Sequence, residues 1–171
     1  ALSDVNFSAN SGEVHALLGE NGAGKSTLIK CLGACQSYDT GEIFLEGKKM
    51  TAVHPKEAMD AGIGIVFQEL SLIPNISVAE NLFLGINVKN RFSISRKNII
   101  NEKTKQILKE FEIEDIHPET KVGELTLSEK QMIEIVKVVS RNTKVVVLDE
   151  ATSALTTNRV EWLLKLVRKL K

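Results

Sequence analysis

Short apolar runs that stop at glycine or at an acid alternate along the chain with longer stretches in which apolar side chains recur every three to four residues. Residues 13–18 (Glu13, Val14, His15, Ala16, Leu17, Leu18) form one such run, which stops at Gly19 and predicts a buried strand entering a loop. Residues 26–32 continue as a helix with Leu28, Ile29 and Leu32 on one face. Tyr38, Asp39, Thr40 and Gly41 read as a turn. Ile43, Phe44 and Leu45, followed by Glu46 and Gly47, predict a strand and a hairpin-like turn. A helix over 55–60 begins on Pro55 and has Gly62 just past its end, and residues 63–67 form another buried strand.

From 78 to 140 the period becomes helical. Residues 101–111 carry Ile107, Leu108 and Phe111 on one side, and 131–139 carry Met132, Ile135, Val136 and Val139. The polar residues 87–98 predict a variable surface loop. Residues 145–148 are a strand, and 160–170 a helix with a stripe of Leu163, Leu166, Val167 and Leu170. Strands alternating with helices around a mostly helical stretch predict an α/β fold, with a parallel sheet and a helical insertion. The expected division is a core part over 1–77, a helical part over 78–140 and a second core part over 141–171.

The chain length of 171 residues suits one domain with an insertion. Lys and Arg total 22 and so do Asp and Glu, which gives no sign of nucleic-acid binding through bulk charge and leaves only a local basic surface open. An apolar share of 43% excludes a disordered chain, and no apolar run approaches the roughly 18 residues that span a bilayer. Cys31 and Cys35 are too few for a disulfide framework and read as small residues on or just past a helix, in a reducing compartment. The start has neither an initiator Met nor a charged-then-apolar leader, and Lys171 halts inside a helical pattern; both suggest a segment of a longer protein.

Gly19, Glu20, Asn21, Gly22, Ala23, Gly24, Lys25 and Ser26 fit G-x-x-x-x-G-K-[ST], the Walker A pattern, in the required place after a predicted strand and at a helix start. Glycines let backbone N–H groups converge on phosphate oxygens with no Cβ in the way, and the helix N-terminus adds free donors and a partial positive charge. Lys25 is expected at the β- and γ-phosphates, Ser26 on Mg²⁺, and Thr27 beside the α-phosphate.

Phosphoryl chemistry also needs a carboxylate near the metal and a group that orients the attacking water. Asp149, at the end of the run Val145, Val146, Val147, Leu148, fits the metal role, called Walker B. Glu150 fits that of general base. Gln68, after the strand 63–67, can present its amide oxygen to Mg²⁺ or to the water.

In this order the pieces resemble the nucleotide-binding cassette of ABC transporters across essentially the whole chain. The resemblance implies a P-loop NTPase core with an inserted helical subdomain, Gln68 as the Q-loop residue, and Ser153, Ala154, Leu155 and Thr156 as the D-loop. The stretch containing Pro55, Ala58, Gly62 and Ile63, then Phe67, Gln68, Glu69, Leu70, Pro74, Asn75 and Val78, Ala79, Glu80, Asn81, Leu82, Leu84 and Gly85, is similar to importers of ribose, galactose and xylose.

The family's signature, Leu-Ser-Gly-Gly-Gln, corresponds by its usual spacing from Asp149 to Leu125, Thr126, Leu127, Ser128 and Glu129. Thr126 keeps the hydroxyl, and Thr126 with Glu129 forms a capping box for the next helix. Leu127 and Ser128 replace both glycines, and Glu129 brings a negative charge to where the family caps a γ-phosphate of the opposite cassette. The expectation is a helix start that folds well and binds phosphate poorly, as in the first of two cassettes in one sugar-importer polypeptide.

Two further departures are Ala151, where the family usually has Pro, and the switch His and adenine-stacking aromatic, which the resemblance places beyond Lys171 and before Ala1. His15, His54 and His117 read as incidental, and Trp162 as core. The resemblance implies an ATPase with ATP and Mg²⁺ as cofactors, peripheral on the cytoplasmic face of the inner membrane. Its partners would be a sugar permease contacted by residues 70–77 (Leu70, Leu72 and Ile73 foremost), a second cassette in the same polypeptide and, indirectly, a periplasmic sugar-binding protein. No nucleic-acid partner is implied. Two alternatives stay open: an ABC ATPase outside transport, and a nucleotide-binding fragment without turnover, its sheet edges unpaired.

Overall fold

The computed structural model describes residues 2–86 and 96–171. Helix α1 (Lys25–Leu32) is followed by a hairpin of β1 (Phe44–Leu45) and β2 (Lys48–Lys49), then by α2 (Pro55–Ala61) and β3 (Ile63–Val66). Helices α3 (Val78–Leu82), α4 (Arg96–Glu110) and α5 (Leu127–Val139) come next, with a 3₁₀ turn at Val122–Glu124, and the chain closes with β4 (Val145–Leu148) and α6 (Thr157–Leu170).

Local chemistry explains most of these boundaries. The β1–β2 turn places Glu46 at φ 52° and Gly47 at φ 73°, the left-handed pair of a tight hairpin. Helix α2 starts on Pro55, whose missing N–H is not needed in the first turn, and ends where Gly62 adopts φ 110°. Helices α3 and α5 each begin with a reciprocal capping box, Ser77 with Glu80 and Thr126 with Glu129.

Strands β3 and β4 pair in parallel, with Ile63 opposite Val145 and Val66 opposite Leu148. Helix α5 lies against β3, and Gly64 makes the approach possible. A Cβ there would sit 2.5 Å from Val138 Cγ1 and 2.6 Å from Thr143 Cγ2. Apolar side chains surround much of α5, as expected of a helix buried between two layers. Met132, Ile133 and Val136 pack with Val78, Leu82, Ile100 and Leu108 of α3 and α4. Ile135 packs instead with Val66, Ala151, Leu163 and Leu166. Trp162 borders both clusters and donates its indole N–H to the Phe111 carbonyl at 2.6 Å, in keeping with a core role.

Two expectations need correction. The buried strand over 13–18 does not form: its residues join neither sheet, and Val14 and Leu18 are 62% and 88% exposed. A strand needs a neighbour for its backbone groups, and among the described residues β3 and β4 pair only with each other. The segment bends instead at Asn10–Glu13, closed by Glu13 N–H to the Asn10 carbonyl at 3.2 Å, and the Phe7 and His15 rings meet edge to face at 5.4 Å. The loop expected over 87–98 lies outside the described residues as far as 95, and Arg96, Lys97 and Asn98 already belong to α4.

Candidate phosphate-binding site

The glycine-rich loop before α1 is shaped by two left-handed residues, Gly22 at φ 84° and Gly24 at φ 94°. A Cβ on Gly22 would meet nothing within 4 Å, so the constraint there is conformational. Gly24 is the N-cap of α1 and offers no side chain, and among the described residues no side-chain cap bond reaches the first amides of the helix. Lys25 folds back over the loop, donating to the carbonyls of Gly19 at 2.6 Å and Glu20 at 2.9 Å. The Ala23 amide closes the same turn on the Glu20 carbonyl at 3.1 Å. Uncapped amides beside a lysine ammonium suit a polyphosphate. Asn21 and Ser26 lie at the surface of this loop, with Thr27 partly covered beside them.

The C-terminal ends of β3 and β4 meet at one edge of the sheet. The Asp149 amide donates to the Val66 carbonyl at 2.9 Å, which extends the ladder by one residue. Gln68 is exposed and Asp149 half-buried at this edge, where open α/β sheets hold their ligands. Glu150 is exposed and adopts φ 51°, a left-handed conformation unusual for a residue with a side chain. The turn after it is closed by Ser153, whose amide and hydroxyl donate to the Glu150 carbonyl at 3.1 and 2.9 Å. Ala151 is buried, Ala154 and Leu155 are half-buried, and Thr156 caps α6 without a side-chain bond.

Gly33, just past α1, brings this helix to the sheet: a Cβ there would lie 2.4 Å from Ile65 Cδ1 of β3. Among the described residues, no side-chain hydrogen bond or ion pair links Lys25, Ser26 or Gln68 to Asp149 or Glu150. A cleft of about 470 Å³ lies elsewhere, between the hairpin and α2, and is lined by Leu45, Lys49, Val53 and Lys144 among others. The phosphate loop is open surface.

At α5, the expected capping box is present in full. The Thr126 amide and hydroxyl both donate to Glu129 Oε2 at 2.7 Å, and the Glu129 amide donates to Thr126 Oγ1 at 3.3 Å. Leu125 is buried, Leu127 is 61% exposed, and the Ser128 hydroxyl is buried without a partner among the described residues. The Glu129 carboxylate therefore already occupies the start of α5.

Sequence reasoning missed a polar network around residues 71–81 whose members Asn81, Glu134 and Lys137 are buried. Ser71 bonds to Glu134 and Lys137 of α5, and Asn81, fully buried, bonds to both backbone groups of Ile73. Its only signal along the chain is a pair of charges set among Ile133, Ile135 and Val136 on an apolar helix.

Residues 2–153 match the ABC transporter family. The chain belongs to that family. Its cassette is 42% identical over its whole length to the ribose import ATP-binding protein RbsA of Hahella chejuensis, of which it covers 34%. It is 43% identical to the galactose/methyl galactoside import ATP-binding protein MglA of Clostridium perfringens, covering 33%. The cassette thus spans about a third of the length of the curated relatives it matches. Among solved structures, the dimeric post-hydrolysis state of the ATP-binding cassette MJ0796, bound to ADP and Pi, aligns with 88% of this chain and 66% of its own at 27% identity and a TM-score of 0.71. Together with the parallel β3–β4 sheet and its helices, this likeness assigns the P-loop NTPase α/β fold. Among the described residues no helix is long and apolar enough to cross a membrane.

Proposed function

We propose that this chain is the nucleotide-binding part of an ABC importer ATPase that couples ATP binding and hydrolysis to monosaccharide uptake. The observation that carries the reading is the glycine loop, left-handed at Gly22 and Gly24, leading into an α1 N-terminus that no side chain caps. In this reading residues 19–27 hold the phosphates and Lys25 exchanges its loop carbonyls for phosphate oxygens. Ser26 and Asp149 would hold Mg²⁺ together with the nucleotide, as suits an ion bound by one or two side chains and substrate phosphates. Among the described residues no group of three or more His, Cys, Asp or Glu would cage the ion unaided. Bound there, the ion would neutralise charge on the phosphates.

Gln68 and Glu150 hold and deprotonate the attacking water at the end of the sheet. Glu150 takes the proton as general base, and the D-loop residues 153–156 keep its backbone in place through Ser153. Residues 1–77 and 141–171 act as the core and 78–140 as the helical subdomain. The relatives' names support the sugar-import reading, and the dimer of the solved cassette supports a composite site closed by a second cassette. Leu70, Leu72 and Ile73 contact the permease, on the cytoplasmic face of the inner membrane, and a periplasmic sugar-binding protein delivers the substrate.

Because Glu129 already fills the start of α5, the signature at 125–129 contributes little to a partner's ATP. A second reading concerns the 171-residue chain alone: without a partner signature to close its site, and with sheet edges unpaired, it binds Mg-ATP weakly and turns over negligibly. Brisk hydrolysis by the isolated chain would overturn the composite site. Calorimetry on the full-length protein tests the main reading. Mg-dependent ATP binding that Lys25→Ala abolishes is expected, and a variant that binds as the wild type does would refute it.

A further inference from the structure

Asn21 is followed by Gly22 in the exposed part of the phosphate loop, and of the asparagines in the chain it alone precedes a glycine. The order matters because an asparagine side chain ends in a carbonyl carbon that the next residue's backbone nitrogen can reach. A side chain on that next residue would obstruct the approach, and glycine has none. Here the space is open as well: a Cβ on Gly22 would meet nothing within 4 Å.

The bonding of the loop leaves both reacting groups free. The Ala23 amide goes to the Glu20 carbonyl, and Lys25 Nζ to the carbonyls of Gly19 and Glu20. Among the described residues, neither the Asn21 side-chain amide nor the Gly22 N–H takes part in a hydrogen bond. Asn10 and Asn81 differ on both counts. Asn10 Nδ2 donates to Glu13 Oε1 at 3.0 Å, and Asn81, fully buried, donates to the Ile73 and Ser77 carbonyls at 3.0 and 3.1 Å. The residues after them, Ser11 and Leu82, carry side chains. The Lys25 ammonium, bonded within the turn that holds Asn21 and Gly22, adds a positive charge that favours a deprotonated amide.

We infer that Asn21 and Gly22 form a self-modification site, at which the loop converts Asn21 to aspartate and isoaspartate unless nucleotide covers it. The link to nucleotide rests on the phosphate-binding role proposed above for residues 19–27. Gly22 N gives its proton to hydroxide and attacks Asn21 Cγ. A Cγ–N bond forms, the Cγ–Nδ2 bond breaks, and Nδ2 takes up a proton and leaves as ammonia; nothing is oxidised or reduced. Water then opens the cyclic imide. Attack at Cγ gives aspartate, and attack at the main-chain carbonyl gives isoaspartate, whose backbone runs through Cβ and Cγ. Both products put a carboxylate among amides meant for phosphate, and like charges repel. Isoaspartate also lengthens the loop. Bound phosphates oppose the reaction in turn, because they occupy the loop amides and disfavour a negative charge on Gly22 N. The conversion therefore belongs to the empty loop.

The test uses the full-length protein, aged at mildly alkaline pH with and without Mg²⁺ and a non-hydrolysable ATP analogue. Peptide mass spectrometry follows Asn21 and Asn10, and an isoaspartyl methyltransferase with S-adenosylmethionine labels the isoaspartate. Asn21 is expected to convert faster than Asn10 in the empty protein. With the analogue at about a hundred times its Kd, only about 1% of sites are empty, so conversion should slow about a hundredfold. Calorimetry on aged samples should find the fraction of sites that bind the analogue falling in step with conversion. Conversion of Asn21 no faster than that of Asn10 would overturn the inference. So would an analogue that binds without slowing conversion, or converted protein that binds as fresh protein does. Fresh protein that binds no Mg-nucleotide refutes the phosphate-loop reading instead, and the link to nucleotide with it.

Discussion

Gly64→Ala puts a methyl group where β3 and α5 touch. The new Cβ would lie 2.5 Å from Val138 Cγ1, 2.6 Å from Thr143 Cγ2 and 3.1 Å from Thr143 Oγ1. Neither methyl is the free end of a flexible chain: both sit on β-branched residues with stiff χ1. Thr143 is held further by its hydroxyl, which donates to the Val138 carbonyl at 2.6 Å. The helix must therefore lift off the strand, or that bond must break. Overpacking of this kind costs about 1–3 kcal/mol, from which the stiffer unfolded chain of the alanine variant recovers about 0.5 kcal/mol. In a chain of this size that lowers Tm by roughly 2–8 °C. Thermal and urea denaturation of Gly64→Ala would measure the loss. The decisive comparison is Gly64→Ala in a Val138→Ala, Thr143→Ser background, where both clashing methyls are gone and the hydroxyl remains. There the alanine should be neutral or better. A cost as large as in the wild-type background would refute the packing account of Gly64.

Thr126→Ala removes the N-cap of α5 and should cost about 1 kcal/mol in urea denaturation, with Thr126→Ser close to wild type; equal stability of all three would refute the cap's role. Asn81→Leu leaves both backbone groups of Ile73 without partners and should cost about 2–3 kcal/mol; stability matching the wild type would show that another group replaces the amide. The Glu13 carboxyl, held ionised first by the Asn10 side chain and then by the Asn10 amide and His15, is lowered to about 2. Bonds to the charged form lower the folded value, so their contribution is full above the ordinary carboxylate range and is lost as pH falls toward about 2. An NMR titration of Glu13 should have its midpoint there and move up in Asn10→Ala; an ordinary midpoint in the wild type would sink the assignment.

Features that depend on neighbouring residues are legible in the chain itself. The Thr126–Glu129 box, the proline start and glycine end of α2, and the turn at Glu46 and Gly47 each need contacts within a few positions, and each is present. The phosphate loop is legible for the same reason. The apolar run at 13–18 looks like 145–148 in sequence, yet only the latter is a strand. The difference lies in a distant partner, since β4 has β3 beside it and 13–18 has nothing comparable among the described residues. The bonds of Ser71 to Glu134 and Lys137 are hidden by distance too. A serine in a polar loop and two charges on a helix show no relation until the fold brings them within hydrogen-bond reach.

Glu150 carries a side chain at a backbone angle that glycine would adopt at lower energy, a difference on the order of 1 kcal/mol. Selection for a sturdier chain alone would favour glycine at that spot, and would remove the carboxylate on which the proposed hydrolysis depends. Attempts to make this cassette more heat-resistant will meet that conflict at position 150, where, on the proposed hydrolysis, the more durable sequence would be the inert one.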